Sequence, residues 1–113
     1  METITLTGST GYIGLRLIPR LLEKGYKLKC VARDPSYLLN REFTDKIEIV
    51  KADFKTEENL DLAFKGSNYA YYLIHSMSDS ERFEDIEKTC ANNFARFAKR
   101  NKIKKVVYLG GLF

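Results

Sequence analysis

Three glycines recur at every third position in the stretch "TLTGSTGYIG" (residues 5–14): Gly8, Gly11 and Gly14, directly behind a short apolar run. Glycine weakens helices and strands alike, so a cluster at a strand-to-helix junction needs a local reason. A positive φ at Gly8 would make the tight turn. The missing Cβ of Gly11 would let a phosphate come close to the main chain, and that of Gly14 would let the following helix lie tightly on the strand. The N-terminus of that helix offers unpaired N–H groups and a partial positive charge. Ser9 and Thr10 add hydroxyl donors, and Tyr12 and Ile13 begin the helix. The chemistry this arrangement suits is the binding of a pyrophosphate. The spacing is G-x-x-G-x-x-G rather than G-x-G-x-x-G, and the predicted ligand is a dinucleotide.

Arg33 stands nineteen positions after Gly14, at the predicted end of a second strand. An acid there would bond a ribose 2′-hydroxyl, and an arginine would accommodate a 2′-phosphate. Asp34 follows immediately, so a shift of one residue in the strand end exchanges the two roles. NADP is the expected cofactor, with NAD as the alternative. Arg16 is a second candidate phosphate cation or else a solvated helix residue. Leu73, Ile74 and His75 end a fourth strand, where ligands of open parallel sheets gather. His75 is the only histidine. It suits proton transfer near neutral pH, although a lone loop histidine is more often structural.

The elements that must position these groups alternate. Strands are expected at 3–7, 27–32, 46–52, 68–74 and 105–110. Helices are expected at 12–24, 56–65 and 80–100, with a turn or short helix at 35–39. Ile13, Leu17, Ile18, Leu21 and Leu22 form one helical stripe, and Phe83, Ile86, Cys90, Phe94 and Phe97 another. Pro19 interrupts the first helix at the cost of a hydrogen bond or a kink, and Gly25 supplies its C-cap. Thr56, followed by Glu57 and Glu58, is expected to cap the second. Such alternation predicts an α/β protein with a parallel sheet covered on both faces. We expect a three-layer Rossmann fold of about five strands in the order 3-2-1-4-5, as one domain over residues 1–113.

The bulk numbers are ordinary. The chain has 113 residues, 44% of them hydrophobic, and a net charge of +4. Its apolar runs are too short for a membrane span, and no secretory signal is evident. Cytoplasmic location without membrane partners is the expectation. Cys30 and Cys90 lie in apolar-patterned segments outside any C-x-x-C pair, which predicts two buried thiols and no metal site. Lys99, Arg100, Lys102, Lys104 and Lys105 cluster at a helix end that favours cations. No aromatic residues interleave with them to stack bases, so no nucleic-acid partner is expected. The chain stops just behind a strand, which reads as the front part of a longer protein. Apolar Leu109, Leu112 and Phe113 would then favour a homodimer.

"TGSTGYIG" (7–14) resembles the opening of extended and atypical short-chain dehydrogenase/reductase proteins. "LIPRLLEKGYKLKCVARDP" (17–35), "KADF" (51–54), "YYLIHSM" (71–77) and "VVYLGG" (106–111) resemble the atypical, NmrA-like, NAD(P)H-binding branch. The resemblance implies that Asp53 bonds the adenine amino group, with the main chain of Phe54 beside it. The alternative for Asp53 is a turn aspartate. It implies that 73–76 replace an Asn-Ala-Gly-like stretch contacting the ribose and the nicotinamide side. The family also carries an asparagine near Asn92 and Asn93, though a solvated face is expected for Asn92. Catalytic members use a Tyr-x-x-x-Lys pair and a hydroxyl residue just past the fifth strand. Gly110 and Gly111 occupy that place here, and no catalytic residue is assigned. The implied function is the NADP(H)-binding portion of an oxidoreductase acting on a small organic substrate. The alternative is a non-catalytic NADP(H) redox sensor of the NmrA-like type.

Overall fold

The computed structural model describes residues 2–73 and 83–108, with Phe83 and Glu84 as backbone alone. Five parallel strands, β1 (Thr3–Thr7), β2 (Lys27–Ala32), β3 (Glu48–Lys51), β4 (Tyr69–Tyr72) and β5 (Lys105–Tyr108), form one sheet in the order β3-β2-β1-β4-β5. Three helices connect them: α1 (Tyr12–Glu23), α2 (Leu60–Phe64) and α3 (Phe83–Arg100). The chain reverses direction across the sheet between β1 and β4, which pair from Ile4–Tyr69 to Leu6–Tyr71. This is the switch point at which open parallel sheets bind ligands.

The central strand β1 shows how the two faces are built. Successive side chains point to opposite faces. Ile4 and Leu6 join Ile18 and Leu21 of α1, with Leu28 and Cys30 of β2. On the other face the Thr5 hydroxyl bonds the Ala63 carbonyl of α2 at 2.7 Å and the Ser67 hydroxyl at 2.6 Å. That second face is closed by Phe54, Phe64, Phe94 and Phe97, with Cys90 among them. The two cysteines are therefore buried in different clusters, and both are free thiols.

α1 runs through Pro19 without ending. Its buried residues Ile18 and Leu21 lie on both sides of the proline, so packing outweighs the lost N–H. The helix stops in a Schellman arrangement. Gly25, at φ +91°, donates to the Leu22 carbonyl, and Tyr26 donates to that of Leu21. The residues expected as 35–39 form a 3-10 turn, Pro35–Leu38.

Three expected elements are corrected. β4 ends at Tyr72, which leaves Leu73 just beyond the strand expected at 68–74. β3 is shorter than 46–52, because Thr44–Lys46 forms a 3-10 turn ahead of it. α2 begins at Leu60 rather than Thr56. The Thr56 N–H is taken by the Asp53 carbonyl, and Glu57 and Asn59 adopt left-handed φ values of +63° and +62°. Neither fits an advancing helix. Among the described residues, no helix is long and apolar enough to cross a membrane.

Candidate dinucleotide site

The glycine turn sits at the C-terminal end of β1. Gly8 takes φ +69°, and its carbonyl accepts the Gly11 N–H at 3.0 Å. A Cβ on Gly8 would come within 2.9 Å of the Leu73 carbonyl oxygen. On Gly14 it would stand 2.3 Å from the Gly8 oxygen and 2.9 Å from the Ser9 Cα. Gly14 therefore seats α1 on the turn itself, and the expected contact with the strand is made through that turn. Gly11 differs: an added Cβ would meet only the Gly8 oxygen, at 3.4 Å.

Gly11 is the N-cap of α1, with no side-chain cap and no acid in the first turn. The N–H groups of Tyr12, Ile13 and Gly14 thus have no intrahelical acceptor. An uncapped helix start behind a bare glycine fits a pyrophosphate. Tyr12 is 73% exposed, and the Arg16 guanidinium stacks on its ring at 4.1 Å. Ile13 is also exposed, and Thr10 is half-buried.

Ser9 corrects the expectation of a hydroxyl turned to the ligand. It is fully buried, and its hydroxyl donates to the Leu6 carbonyl at 2.6 Å. What Ser9 can offer a ligand is main chain. Beneath it lies the Cys30 thiol, pushed up to about 12 by burial, an effect partly offset by the Ser9 side chain. Thr7, which the sequence pattern did not single out, locks the switch point. Its hydroxyl donates to the Tyr71 carbonyl at 2.7 Å and accepts from the Leu73 N–H at 3.3 Å. This carries the β1–β4 link past the last paired residues and sets the Leu73 carbonyl against Gly8. A threonine at the last position of β1, directly before the first glycine of the turn, is the sequence signal that could have found it.

At the end of β2, Arg33 and Asp34 part ways. The Asp34 carboxylate accepts the Ser36 hydroxyl at 2.7 Å and the Ser36 N–H at 3.1 Å, capping the Pro35–Leu38 turn. These bonds, the hydroxyl first, hold its carboxyl below the usual range. Arg33 is exposed and makes no ion pair or side-chain hydrogen bond among the described residues. At the end of β3, Asp53 is half-buried and its carboxylate accepts the Lys55 N–H at 2.9 Å. Phe54 turns its ring into the core, against Phe94 at 5.7 Å, so only its main chain can face a ligand. Asn93 of α3 donates to the Phe54 carbonyl at 2.6 Å and fixes this loop, whereas Asn92 is exposed. The Cys90 thiol is raised by burial and by the charges of Asp53 and Glu87, while Lys55 and Arg33 oppose them. The glycine turn, Arg33, Asp53 and Leu73 thus stand along one edge of the sheet, at the C-terminal ends of four neighbouring strands. Ile74 and His75 lie outside the described residues, as do Gly110 and Gly111. Among the described residues, no group of His, Cys, Asp and Glu could hold a metal ion.

A Rossmann domain with a dinucleotide-type glycine turn is the class this geometry defines. The sequence profile described as NAD(P)H-binding matches residues 8–113, and the chain belongs to that family. Among similar curated proteins, noscapine synthase of Papaver somniferum is 33% identical over 121 residues, covering 95% of this chain and 35% of that protein. Dihydroflavonol 4-reductase of Dianthus caryophyllus is 29% identical, covering 95% and 33%. The chain therefore spans about a third of the length of these relatives. Two solved structures share the fold. A Rossmann-fold NAD(P)-binding family protein from Shigella flexneri has TM-score 0.77 at 20% identity, over 94% of this chain and 50% of that one. The NADPH-dependent quinone oxidoreductase of Escherichia coli, complexed with NADPH, has TM-score 0.73 at 22% identity, over 93% and 35%.

Proposed function

We propose that this chain is the NADP(H)-binding part of a reductase of the short-chain dehydrogenase/reductase kind, acting on a small organic substrate. The observation that carries the cofactor choice is the division of labour between Arg33 and Asp34. The acid is committed to the Pro35–Leu38 turn, and the adjacent exposed guanidinium makes no ion pair or side-chain hydrogen bond among the described residues. A free arginine fork matches a 2′-phosphate. The first turn of α1 holds the pyrophosphate, and Asp53 with the Phe54 main chain faces the adenine. Leu73 borders the ribose and nicotinamide side. The nicotinamide, when bound, supplies the hydride. The named reductase relatives support a small-molecule substrate, and two buried free thiols fit a reducing, cytoplasmic setting. Gly110 and Gly111, where the family resemblance calls for a hydroxyl, favour a second reading as a redox sensor. Substrate-dependent NADPH oxidation separates the two.

Nicotinamide fluorescence titration tests the cofactor site, because the chain has no tryptophan. NADPH should bind more tightly than NADH. Arg33→Ala should weaken NADPH about tenfold or more, the worth of a charge-assisted contact, and change NADH little. Equal losses for both cofactors, or a preference for NADH, would overturn the assignment.

A further inference from the structure

Residues 53–59, which join β3 to α2, hold their shape at a cost. Glu57 and Asn59 take left-handed φ values of +63° and +62° without being glycine. Such backbone persists only where its surroundings fix it from several sides. Local bonds supply part of this. The Asp53 carboxylate accepts the Lys55 N–H at 2.9 Å, and the Asn59 amide donates to the Lys51 carbonyl at 2.9 Å. More comes from α3. Phe94 packs on the Phe54 ring, Asn93 donates to the Phe54 carbonyl at 2.6 Å, and Arg96 pairs with Glu57. Two consecutive residues of one helix thus grip the carbonyl and the ring of Phe54, one peptide away from Asp53.

Neither helix propensity nor core packing calls for an asparagine at 93. Asparagine is a mediocre helix former, and the nearby α3 residues Cys90, Phe94 and Phe97 are apolar and buried. Arg96 orients the amide. Its guanidinium, which can only donate, bonds the Asn93 Oδ1 at 3.1 Å. The amide oxygen therefore faces Arg96, and the Nδ2 donor is turned to Phe54. Arg96 and Glu57 are both exposed, so their ion pair adds little by itself. Its use is to hold the guanidinium beside Asn93. With ring and carbonyl both held, the Phe54 main chain has little freedom, and Asp53 is carried on it.

We propose that Asn93, oriented by Arg96, is a positioning residue of the cofactor site: from α3 it holds the Phe54 main chain so that the Asp53 carboxylate meets the adenine amino group. This rests on the dinucleotide reading above and concerns the adenine end of that site. An amino group donates to a carboxylate, whereas the oxo group of hypoxanthine offers only another acceptor. Base preference therefore reads the aim of Asp53. Fluorescence titration with NADPH and with its hypoxanthine counterpart tests the proposal on the wild-type chain, Asn93→Asp and Arg96→Met, with urea unfolding alongside. The wild-type chain should prefer NADPH. Asn93→Asp keeps the size but replaces the donor with an acceptor, so NADPH affinity should fall about tenfold, the worth of one hydrogen bond. The hypoxanthine dinucleotide should change little, and the preference should vanish. Arg96→Met, at an exposed position that leaves the fold intact, should erode the preference in the same direction by less. A lower urea midpoint with the preference unchanged in both variants would make the Asn93 bond purely structural and overturn the proposal alone. A wild-type chain that binds neither dinucleotide, or both alike, would overturn the reading of the site and this proposal with it.

Discussion

Gly14→Ala and Gly11→Ala are chemically the same change three residues apart, and the structure assigns them opposite consequences. At Gly14 an alanine gains about 0.5–1 kcal/mol from helix propensity. Against this, its Cβ would lie 2.3 Å from the Gly8 oxygen, with Ser9 Cα at 2.9 Å and Gly8 carbonyl carbon at 3.1 Å. All three are backbone atoms of one tight turn, so no side chain can swing aside. Overpacking costs about 1–3 kcal/mol, and a rigid obstacle puts this site at or above the upper end. The net loss should be about 2 kcal/mol, visible as a lower urea midpoint at unchanged slope. At Gly11 the nearest atom to a Cβ is 3.4 Å away and φ is −78°, which any residue adopts. The poorer N-cap is offset by the reduced entropy of the unfolded chain, so stability should move by less than about 0.5 kcal/mol. The new methyl would stand on the surface offered to the pyrophosphate, and NADPH affinity should fall about tenfold or more, ~1.4 kcal/mol. Paired denaturation and NADPH titration read both effects. A Gly14→Ala chain as stable as wild type would refute the close-packing argument. A Gly11→Ala chain that binds NADPH normally would refute the placement of the ligand.

Thr7→Val keeps the shape of the β1 end but removes both hydroxyl bonds, leaving the Leu73 N–H without an acceptor. A loss of about 1–3 kcal/mol is expected in denaturant unfolding; an unchanged midpoint would show that the β1–β4 junction holds without it. Burial keeps the Cys30 thiol protonated up to about pH 12 in the folded chain, whereas its ordinary value is 9.0. In that window the unfolded chain has lost the thiol proton and the folded chain has kept it. Stability should therefore fall as pH rises, by up to about 1.4 kcal/mol per pH unit from this group. Cys30→Ala should show a flatter profile above pH 9 than wild type, and parallel profiles would contradict the assignment.

The sheet order was legible because hydrophobic period and glycine punctuation agree along the chain. The Gly8 turn and the Gly25 cap follow from the same signals. The start of α2 was not legible. Thr56 followed by two glutamates is a good capping pattern, but it loses to a tertiary contact. Asp53 turns the chain back on itself, Asn59 donates to the Lys51 carbonyl, and Glu57 pairs with Arg96 of α3. Nothing local marks a glutamate for a left-handed φ. The site was legible in its main-chain parts and less so in its side chains. Ser9 reads as a donor at the mouth of the turn, but the Leu6 carbonyl directly beneath draws it inward. Phe54 sits beside the proposed adenine position in sequence, yet the aromatic cluster of Phe64 and Phe94 claims its ring.

The order of residues in Arg33-Asp34-Pro35-Ser36 has a structural reason that bears on cofactor choice. Pro35 cannot donate a hydrogen bond and sits well at the start of a helical turn. The residue before it is held extended, as Asp34 is, at φ −123° and ψ 94°. That geometry aims the Asp34 carboxylate forward to the Ser36 N–H and hydroxyl rather than sideways to a ribose. Freeing the acid for a 2′-hydroxyl would leave the Ser36 donors without their cap and loosen the turn that seats Leu38, which is fully buried in the α1-side core. Arg33 carries no such duty. The same turn that packs Leu38 into the core therefore commits Asp34 and leaves the adjacent guanidinium exposed, so the proposed preference for NADPH rests on the fold as much as on the residue type.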